Sequence, residues 1–478
     1  MKISMWAYKQ SISLLAIVLT LSSAIMSSTT SLEDVIEGAC EFHPDIFTAK
    51  LDVHQAHEGV QQAKAIVLPR ITSISEVGFA DDAGEGAAIQ SSVQDSRLRS
   101  TQLSIDQAIY IGGRGRAAIR GAKYQRDVQW YSAEREILNA QITAIQAYIE
   151  VAQAQEILEV RTAELSSLKQ RLQESRRRFE LGGGTKSDIV QAQARIARNE
   201  ADIVSAQSDI EQAGASLYEA SGIHPSEKLE LAALPDVPTN ITQALEYARQ
   251  INPDIKAANS AIDVAGQTVK TVQGDRSPEV RLLGDLNVQR DTSFNGFERE
   301  DASLRLRLTV PIFSGGALAS RERDAHLAKN STAYNHLRVV NRVHEGVLSA
   351  WSQYQSSQRL IKINEQLVVA AEKASIAVKK EADAGFRANQ DTLDAQQELL
   401  DAKLALTGAK HNNVFSAYSL LGAIGRLENE KYPKCQNLLP ELDPAPKRKI
   451  IKKINSIVPG VKIEIPERRK TTGPRSKR

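Results

Sequence analysis

Apolar residues recur along this chain with two different periods. Leu138, Ile142, Ile145, Ile149 and Ala152 step by 4, 3, 4 and 3, and Leu158, Leu165, Leu168 and Leu172 keep the seven-residue period. Leu360, Ile363, Leu367, Ala370 and Ala374 step by 3, 4, 3 and 4. Both stretches therefore carry the repeat of a coiled coil. No Gly or Pro interrupts Ala122 to Leu181, and between Ala317 and Ala384 only Gly346 does. Sixty helical residues reach roughly 90 Å, so these are rods. Their stripes are narrow and their other faces carry Gln, Ser, Glu, Lys and Ala, which suits a wall wetted on both sides.

Each rod ends at a turn. Leu181-Gly182-Gly183-Gly184-Thr185 supplies helix-ending glycines and a capping hydroxyl, and Ala384-Gly385-Phe386-Arg387-Ala388 stands at the second turn. Helices running back from these turns predict two hairpins, at about 113–221 and 316–422. Elsewhere the period drops to two. Ser303 to Val310 alternates strictly, Val280 to Val288 and Ser100 to Gln107 alternate too, and Ile71 to Phe79 does so more weakly. The pattern predicts strands at about 71–80, 97–108, 280–290 and 301–310, in two pairs, with Pro69 and Pro278 ending the helices before them. Residues 82–94 and 291–300 are rich in Gly, Ser, Asp and Asn and read as the connecting loops.

The same order of elements occurs twice. His43-Pro44-Asp45-Ile46 returns as Asn252-Pro253-Asp254-Ile255, a shift of 209, whereas Tyr110-Ile111-Gly112-Gly113 matches Phe313-Ser314-Gly315-Gly316 at a shift of 203. Gly182 with Gly385, Asp188 with Asp391 and Gly222 with Gly425 keep the second shift. A duplication of this size implies two copies of one structural unit, here residues 25–232 and 233–430.

Composition adds a cellular address. Lys2 and Lys9, the apolar run Ile12 to Leu21 and the small residues Ser22-Ser23-Ala24 form a secretory signal over residues 1–24. Beyond it no apolar run approaches the length of a membrane helix, so any membrane insertion must use strands. Export permits a disulfide between the only cysteines, Cys40 and Cys435, although spacing alone does not establish the pairing. The formal charge of +2 hides an asymmetry. Residues 431–478 hold fourteen Lys and Arg against four Asp and Glu, so a basic tail follows an acidic body. The tail reads as a disordered extension, with a short amphipathic helix on an anionic surface as the alternative.

Alternating strands of about ten residues match a transmembrane barrel with lipid outside and water inside. Four strands cannot close, and an open edge in hydrocarbon leaves backbone groups unpaired. Several chains must share one barrel. With Val310-Pro311-Ile312-Phe313-Ser314-Gly315-Gly316 after the fourth strand and a Gly-x5-Asp tip in each copy, the chain resembles the TolC-type outer-membrane efflux protein family. The resemblance covers about Ser31 to Leu427, and Leu181 to Thr185 through Gln193 is most similar to members serving type I protein secretion.

The resemblance implies a mainly α fold with a β-barrel contribution: tandem coiled-coil hairpins plus four transmembrane strands per chain. It implies a homotrimer with a twelve-stranded barrel and an α-helical tunnel. It also implies a periplasmic adaptor (membrane fusion) protein, an inner-membrane ABC or proton-driven transporter, and outer-membrane lipid as partners. A periplasmic coiled-coil adaptor or scaffold that never enters lipid is the rival reading.

Asp391 and Asp394 share one face of a helix, and the resemblance places them in a carboxylate ring at the periplasmic entrance. It makes Arg387 a latch reaching Ser187 and Asp188, and makes Leu181, Gly182, Gly183, Ala384, Gly385 and Phe386 the adaptor-docking tips. Where the family's type member carries a tyrosine three residues before the second tip glycine, this chain has Ala382. No nucleophile or phosphate-binding motif points to an enzyme, and no cofactor is called for. His54 and His57 lack a third metal ligand, and export argues against nucleic acid.

Overall fold

In a computed structural model the described residues are 30–80, 96–225, 228–290, 298–427, 432–435 and 438–440. The expected signal and nearly all of the basic tail lie outside them. Residues 1–439 form one compact unit and 440–478 a second.

The first unit runs α1 (Leu32–Phe42), α2 (Pro44–Ala65), β1 (Arg70–Ala80), β2 (Ser96–Ile111), α3 (Arg114–Glu180) and α4 (Lys186–Ser221). It then repeats as α5 (Ile241–Ile251), α6 (Pro253–Gly274), β3 (Glu279–Arg290), β4 (Glu298–Thr309), α7 (Ala317–Asp383) and α8 (Asn389–Ile424). Corresponding helices have identical lengths of 11, 22, 67 and 36 residues. At 1.5 Å per residue, α3 and α7 are each about 100 Å long.

The repeated Pro-Asp-Ile motif has a local cause. His43 Nδ1 and Asn252 Oδ1 accept the backbone N–H of Asp45 and Asp254 at 3.3 and 3.0 Å, with proline in the first turn of each helix. Each motif thus stops one short helix and caps the next. Among the described residues no helix is long and apolar enough to cross a membrane.

The strands form one antiparallel sheet in the order β1-β2-β3-β4, because β2 pairs with β3 across the two copies. The sequence predicts two pairs; the structure joins them. β2 also runs three residues past its predicted end, and β4 begins at Glu298 inside the stretch expected to be loop.

Register sorts the side chains by face. Ile71, Ile105, Gly284 and Leu304 lie in one row, and Leu282 with Leu306 and Val280 with Leu308 continue that face. Leu304, Leu306 and Leu308 are 64–75% exposed. On the opposite face Arg281 grips Asp106 with two hydrogen bonds of 2.9 Å, and Arg305 bonds Asp285. The sheet has an apolar side and a charged, internally paired side. A register shift between Ala108 and Tyr110 brings Tyr110 opposite Val280, on the apolar face.

The main core lies where α1, α3, α4 and α8 meet. Cys40 and Cys435 are bonded there with a Cα separation of 5.4 Å, which settles the pairing that spacing left open. In α3 the expected stripe is buried at Leu138, Ile145, Ile149 and Ala152.

In α7 it is not. The face turned to the rest of the chain carries Val343, Val347, Ala350, Tyr354, Ser357, Ala371, Ser375 and Ala382. The predicted stripe Leu360, Ile363 and Leu367 is left 42–57% exposed. The helix has two heptad seams side by side, and the larger side chains lie on the seam that is left exposed among the described residues.

Candidate functional site

Both hairpins reverse at a glycine with positive φ, Gly182 at 78° and Gly385 at 82°. Gly183 N–H donates to Arg178 O at 2.8 Å and Phe386 N–H to Glu381 O at 2.9 Å, tying off the helix ends. The side chains beside these turns project outward, with Leu181 87% and Phe386 84% exposed. The six predicted docking residues therefore share two exposed turns, each fixed by its own backbone.

The restarts of the two returning helices differ. Thr185 caps α4 with Asp188 in a capping box: Asp188 N–H donates to Thr185 Oγ1 at 3.2 Å, and Thr185 N–H and Oγ1 donate to Asp188 Oδ2 at 2.9 and 2.7 Å. In α8 the cap position is Ala388 and has no side-chain cap bond. Asp391, the counterpart of Asp188, is consequently released from capping; among the described residues its carboxylate has no hydrogen-bond or ion-pair partner.

The expected latch bonds are not formed within the single chain. Arg387 Nε donates to Glu381 Oε2 of its own hairpin at 2.6 Å, Asp188 is held by its cap, and Ser187 accepts a 3.5 Å bond from Gln191. Two other ion pairs tie the hairpins together near the tips. Arg178 on α3 pairs with Asp383 on α7, and Arg195 Nη2 on α4 lies 2.5 Å from Asp394 Oδ1 on α8. Asp394 is thus a paired carboxylate in the single chain, also bonded by Gln390 at 3.0 Å. Sequence reasoning missed Arg178 and Arg195 because their partners lie about 200 residues away and no local spacing links them.

Farther from the tips, Glu156 on α3 accepts from Thr407 Oγ1 at 2.9 Å and from His411 Nε2 at 2.8 Å, both on α8. Burial alone would raise the Glu156 pKa, yet the bonds from His411 and Thr407, with the charges of His411 and Lys410, hold it below the usual carboxylate range. His54 and His57 are exposed on α2, where His57 lies beside Gln61.

The junction of rods and sheet is also asymmetric. Arg114 at the start of α3 bridges Asp275 at 2.8 Å and Glu279 at 2.6 Å in the second copy. A Cβ on Gly112 would lie 2.4 Å from the Gly274 carbonyl, whereas Gly315 and Gly316 at the matching turn have open space around them.

Comparison with known proteins agrees with this geometry. The sequence model of the family described as "outer membrane efflux protein" matches residues 35–223 and 244–426, far more than half of the chain and one block per repeat. The outer membrane efflux protein BepC of Brucella suis biovar 1 is 26% identical over 422 residues, covering 87% of this chain and 90% of that protein. The outer membrane protein TolC of Vibrio cholerae serotype O1 is 26% identical, covering 86% of this chain and 94% of that protein. Among solved structures, the outer membrane protein VceC of Vibrio cholerae superposes with a TM-score of 0.70 at 20% identity, covering 82% of this chain and 96% of that one. With a family match in both repeats, a sheet apolar on one face and charged on the other, and two rods ending in exposed tips, the chain belongs to the outer membrane efflux protein family.

Proposed function

We propose that three copies of this chain form one outer-membrane channel with a helical tunnel in the periplasm, the passive exit duct of a tripartite type I secretion or multidrug efflux system. The observation that carries this reading is the four-stranded sheet, whose outer strands β1 and β4 have unpaired outer edges among the described residues and whose one face is apolar. In hydrocarbon those edges must be paired, since each unpaired backbone group costs several kcal/mol. Two copies would give eight strands, whose interior side chains fill the lumen. Three give twelve, which leaves a passage.

The chain contains its own template for the missing interface. β2 pairs with β3 between repeats, so repeat symmetry has β4 pair with β1 of the next copy. By the same symmetry, the open turn at Gly315-Gly316 receives the end of the next copy's α2, and the exposed seam Leu360-Ile363-Leu367 meets a neighbouring rod.

At the periplasmic end, Asp391 and Asp394 of three chains make a carboxylate ring that favours cations. The ties Arg178–Asp383 and Arg195–Asp394 hold the hairpins together. Arg387, exposed at the tip, is left to exchange Glu381 for Ser187 or Asp188 of the adjacent hairpin when the tunnel closes. Leu181, Gly182, Gly183, Ala384, Gly385 and Phe386 form the surface for a periplasmic adaptor, which joins the duct to an ABC or proton-driven transporter.

The purified protein in detergent is expected to run as a heat-modifiable complex of three chains and to give discrete conductance steps in planar bilayers. A monodisperse protein soluble without detergent and silent in bilayers overturns the channel reading. Phe386→Ser is expected to abolish adaptor crosslinking while leaving the trimer intact; normal crosslinking removes the docking assignment.

A further inference from the structure

The two repeats pair their strands in the same register, rung by rung. Arg70 faces Asp106 in the first repeat as Glu279 faces Thr309 in the second, and the far rungs Ala80–Ser96 and Gln289–Arg299 agree. Each β1 residue therefore corresponds to the β3 residue 209 positions later, and each β2 residue to the β4 residue 203 positions later. Between the repeats, β2 meets β3 with Thr101 opposite Val288, Leu103 opposite Leu286, Ser104 opposite Asp285 and Tyr110 opposite Val280.

Carried across the same two shifts, those rungs name the pairs that β4 would make with β1 of the next copy. On the apolar face they are Leu304 with Phe79, Leu306 with Val77 and Phe313 with Ile71. All six side chains are 64–90% exposed in the single chain. On the charged face the rung Ser104–Asp285 becomes Arg307 with Glu76. Both are exposed, and among the described residues neither has a hydrogen-bond or ion-pair partner.

The strand lengths point the same way. β2 runs on to Ile111, where the start of β3 pairs with it, whereas β4 stops at Thr309, short of Phe313, the counterpart of Tyr110. An incoming β1 would supply what β3 supplies to β2.

We propose that the chains join at this register, with Arg307 of one copy opposite Glu76 of the next inside the barrel, one ion pair at each of three joints. A slip by one residue would set the leucines of β4 against the lumen face of β1. Slips by two keep the faces, so apolar rungs alone leave them open. They put Glu76 opposite Thr309, or opposite Arg305, which already bonds Asp285. Opposite charges directly across a rung stabilise paired strands, so the free arginine and the free glutamate select one register among the three. A barrel closed by equal joints also keeps one stagger all the way round. This inference rests on the channel reading, since it needs three copies to share one sheet.

The test uses the full-length protein in detergent. Within one chain Leu306 and Val77 lie on strands three spacings apart, about 14 Å, too far for a disulfide. The native cysteines are already bridged to each other. Leu306→Cys with Val77→Cys, mildly oxidised, is expected to give covalently linked dimers and trimers on a denaturing gel. The slipped combinations, Leu304→Cys with Val77→Cys and Leu308→Cys with Val77→Cys, should link several-fold less. Arg307→Glu and Glu76→Arg should each lower the temperature at which the trimer dissociates, and the two together should restore it. Better linking in a slipped combination, or no linking in any of them within a trimer that conducts, overturns the register. A double variant as unstable as the two single losses combined overturns the ion pair. An unaltered protein that is neither trimeric nor conducting overturns the channel reading beneath both.

Discussion

The two hairpins have the same helix lengths, residue for residue, and different surroundings. α3 is enclosed by α1, α2, α4, α6 and α8 and buries a continuous apolar stripe from Ala133 to Ala154. α7 packs against α8, α6 and α5, and leaves Leu360, Ile363 and Leu367 in solvent. At the tips, the first copy spends Asp188 on a cap with Thr185, whereas the second has Ala388 at the cap and a released Asp391. Duplication copied the backbone without copying the partners. In the proposed trimer the surfaces left open in the second hairpin would receive the next chain, and the side chain released there, Asp391, would be available to the entrance.

The strongest way to break this comparison is to charge the open seam. Ile363→Asp with Leu367→Asp would bury unpaired carboxylates between chains, at a cost of several kcal/mol for each. Loss of the heat-modifiable trimer is expected, with monomer helicity by circular dichroism unchanged. A normal trimer would mean that this seam faces water in the assembly.

Next come the ties between the unequal tips. Removing both with Arg178→Ala and Arg195→Ala is expected to raise single-channel conductance several-fold, and each single change should raise it less. Conductance equal to that of the unaltered protein would assign closure elsewhere.

The short helices differ too, since Cys40 of α1 is bridged to Cys435 while its counterpart in α5 is Arg249, which donates to His344 Nε2 at 2.8 Å. Cys40→Ser with Cys435→Ser should cost about 2–4 kcal/mol, read as a lower dissociation temperature of the trimer. Arg249→Ala, a change at an exposed contact, should cost about 1 kcal/mol or less.

Between the hairpins, Glu156 has a depressed pKa, so its contribution to the α3–α8 contact is present at neutral pH and is lost as pH falls below the unfolded value of 4.5. Glu156→Gln should lower stability at pH 7 by about 1 kcal/mol, because the carboxylate is partly exposed and screened. Its difference from the unaltered protein should shrink toward pH 4. A constant difference across that range would remove the carboxylate's ionisation from the account.

Much of this architecture was legible in the chain itself because its signals are periodic. Two rods, four strands and the registers of 209 and 203 follow from spacing, and the six-residue change in register falls between β1 and β2, where 15 residues join the strands against seven between β3 and β4. Pairing was less legible. Nothing in Ser100 to Gln107 or Val280 to Val288 says that β2 joins β3, since strand alternation encodes a face and not a neighbour. The α7 seam was misplaced because Leu and Ile outweighed the Ala and Ser on which the chain's own packing rests. Arg178, Arg195 and the Glu156–Thr407–His411 cluster were invisible for a third reason: each joins residues about 200 or more apart on faces that read as ordinary solvated polar surface.

The finest test of the comparison converts one tip into the other. Ala388→Thr would place a hydroxyl where Thr185 stands in the first copy, three residues before Asp391, and so restore the capping box that the second copy lacks. A cap of this kind stabilises a helix by about 1 kcal/mol, and at the start of α8 it should raise the trimer's dissociation temperature slightly. The same bond would turn Asp391 back toward its own backbone and withdraw it from the entrance. Cation selectivity, measured as reversal potential across a salt gradient, should therefore fall, and Asp391→Asn should lower it further without the gain in stability. Asp394→Asn should matter less than Asp391→Asn, because Arg195 already neutralises that carboxylate. If Ala388→Thr stabilises the protein while selectivity stays unchanged, Asp391 does not face the pore, and the lost cap is only a lost cap.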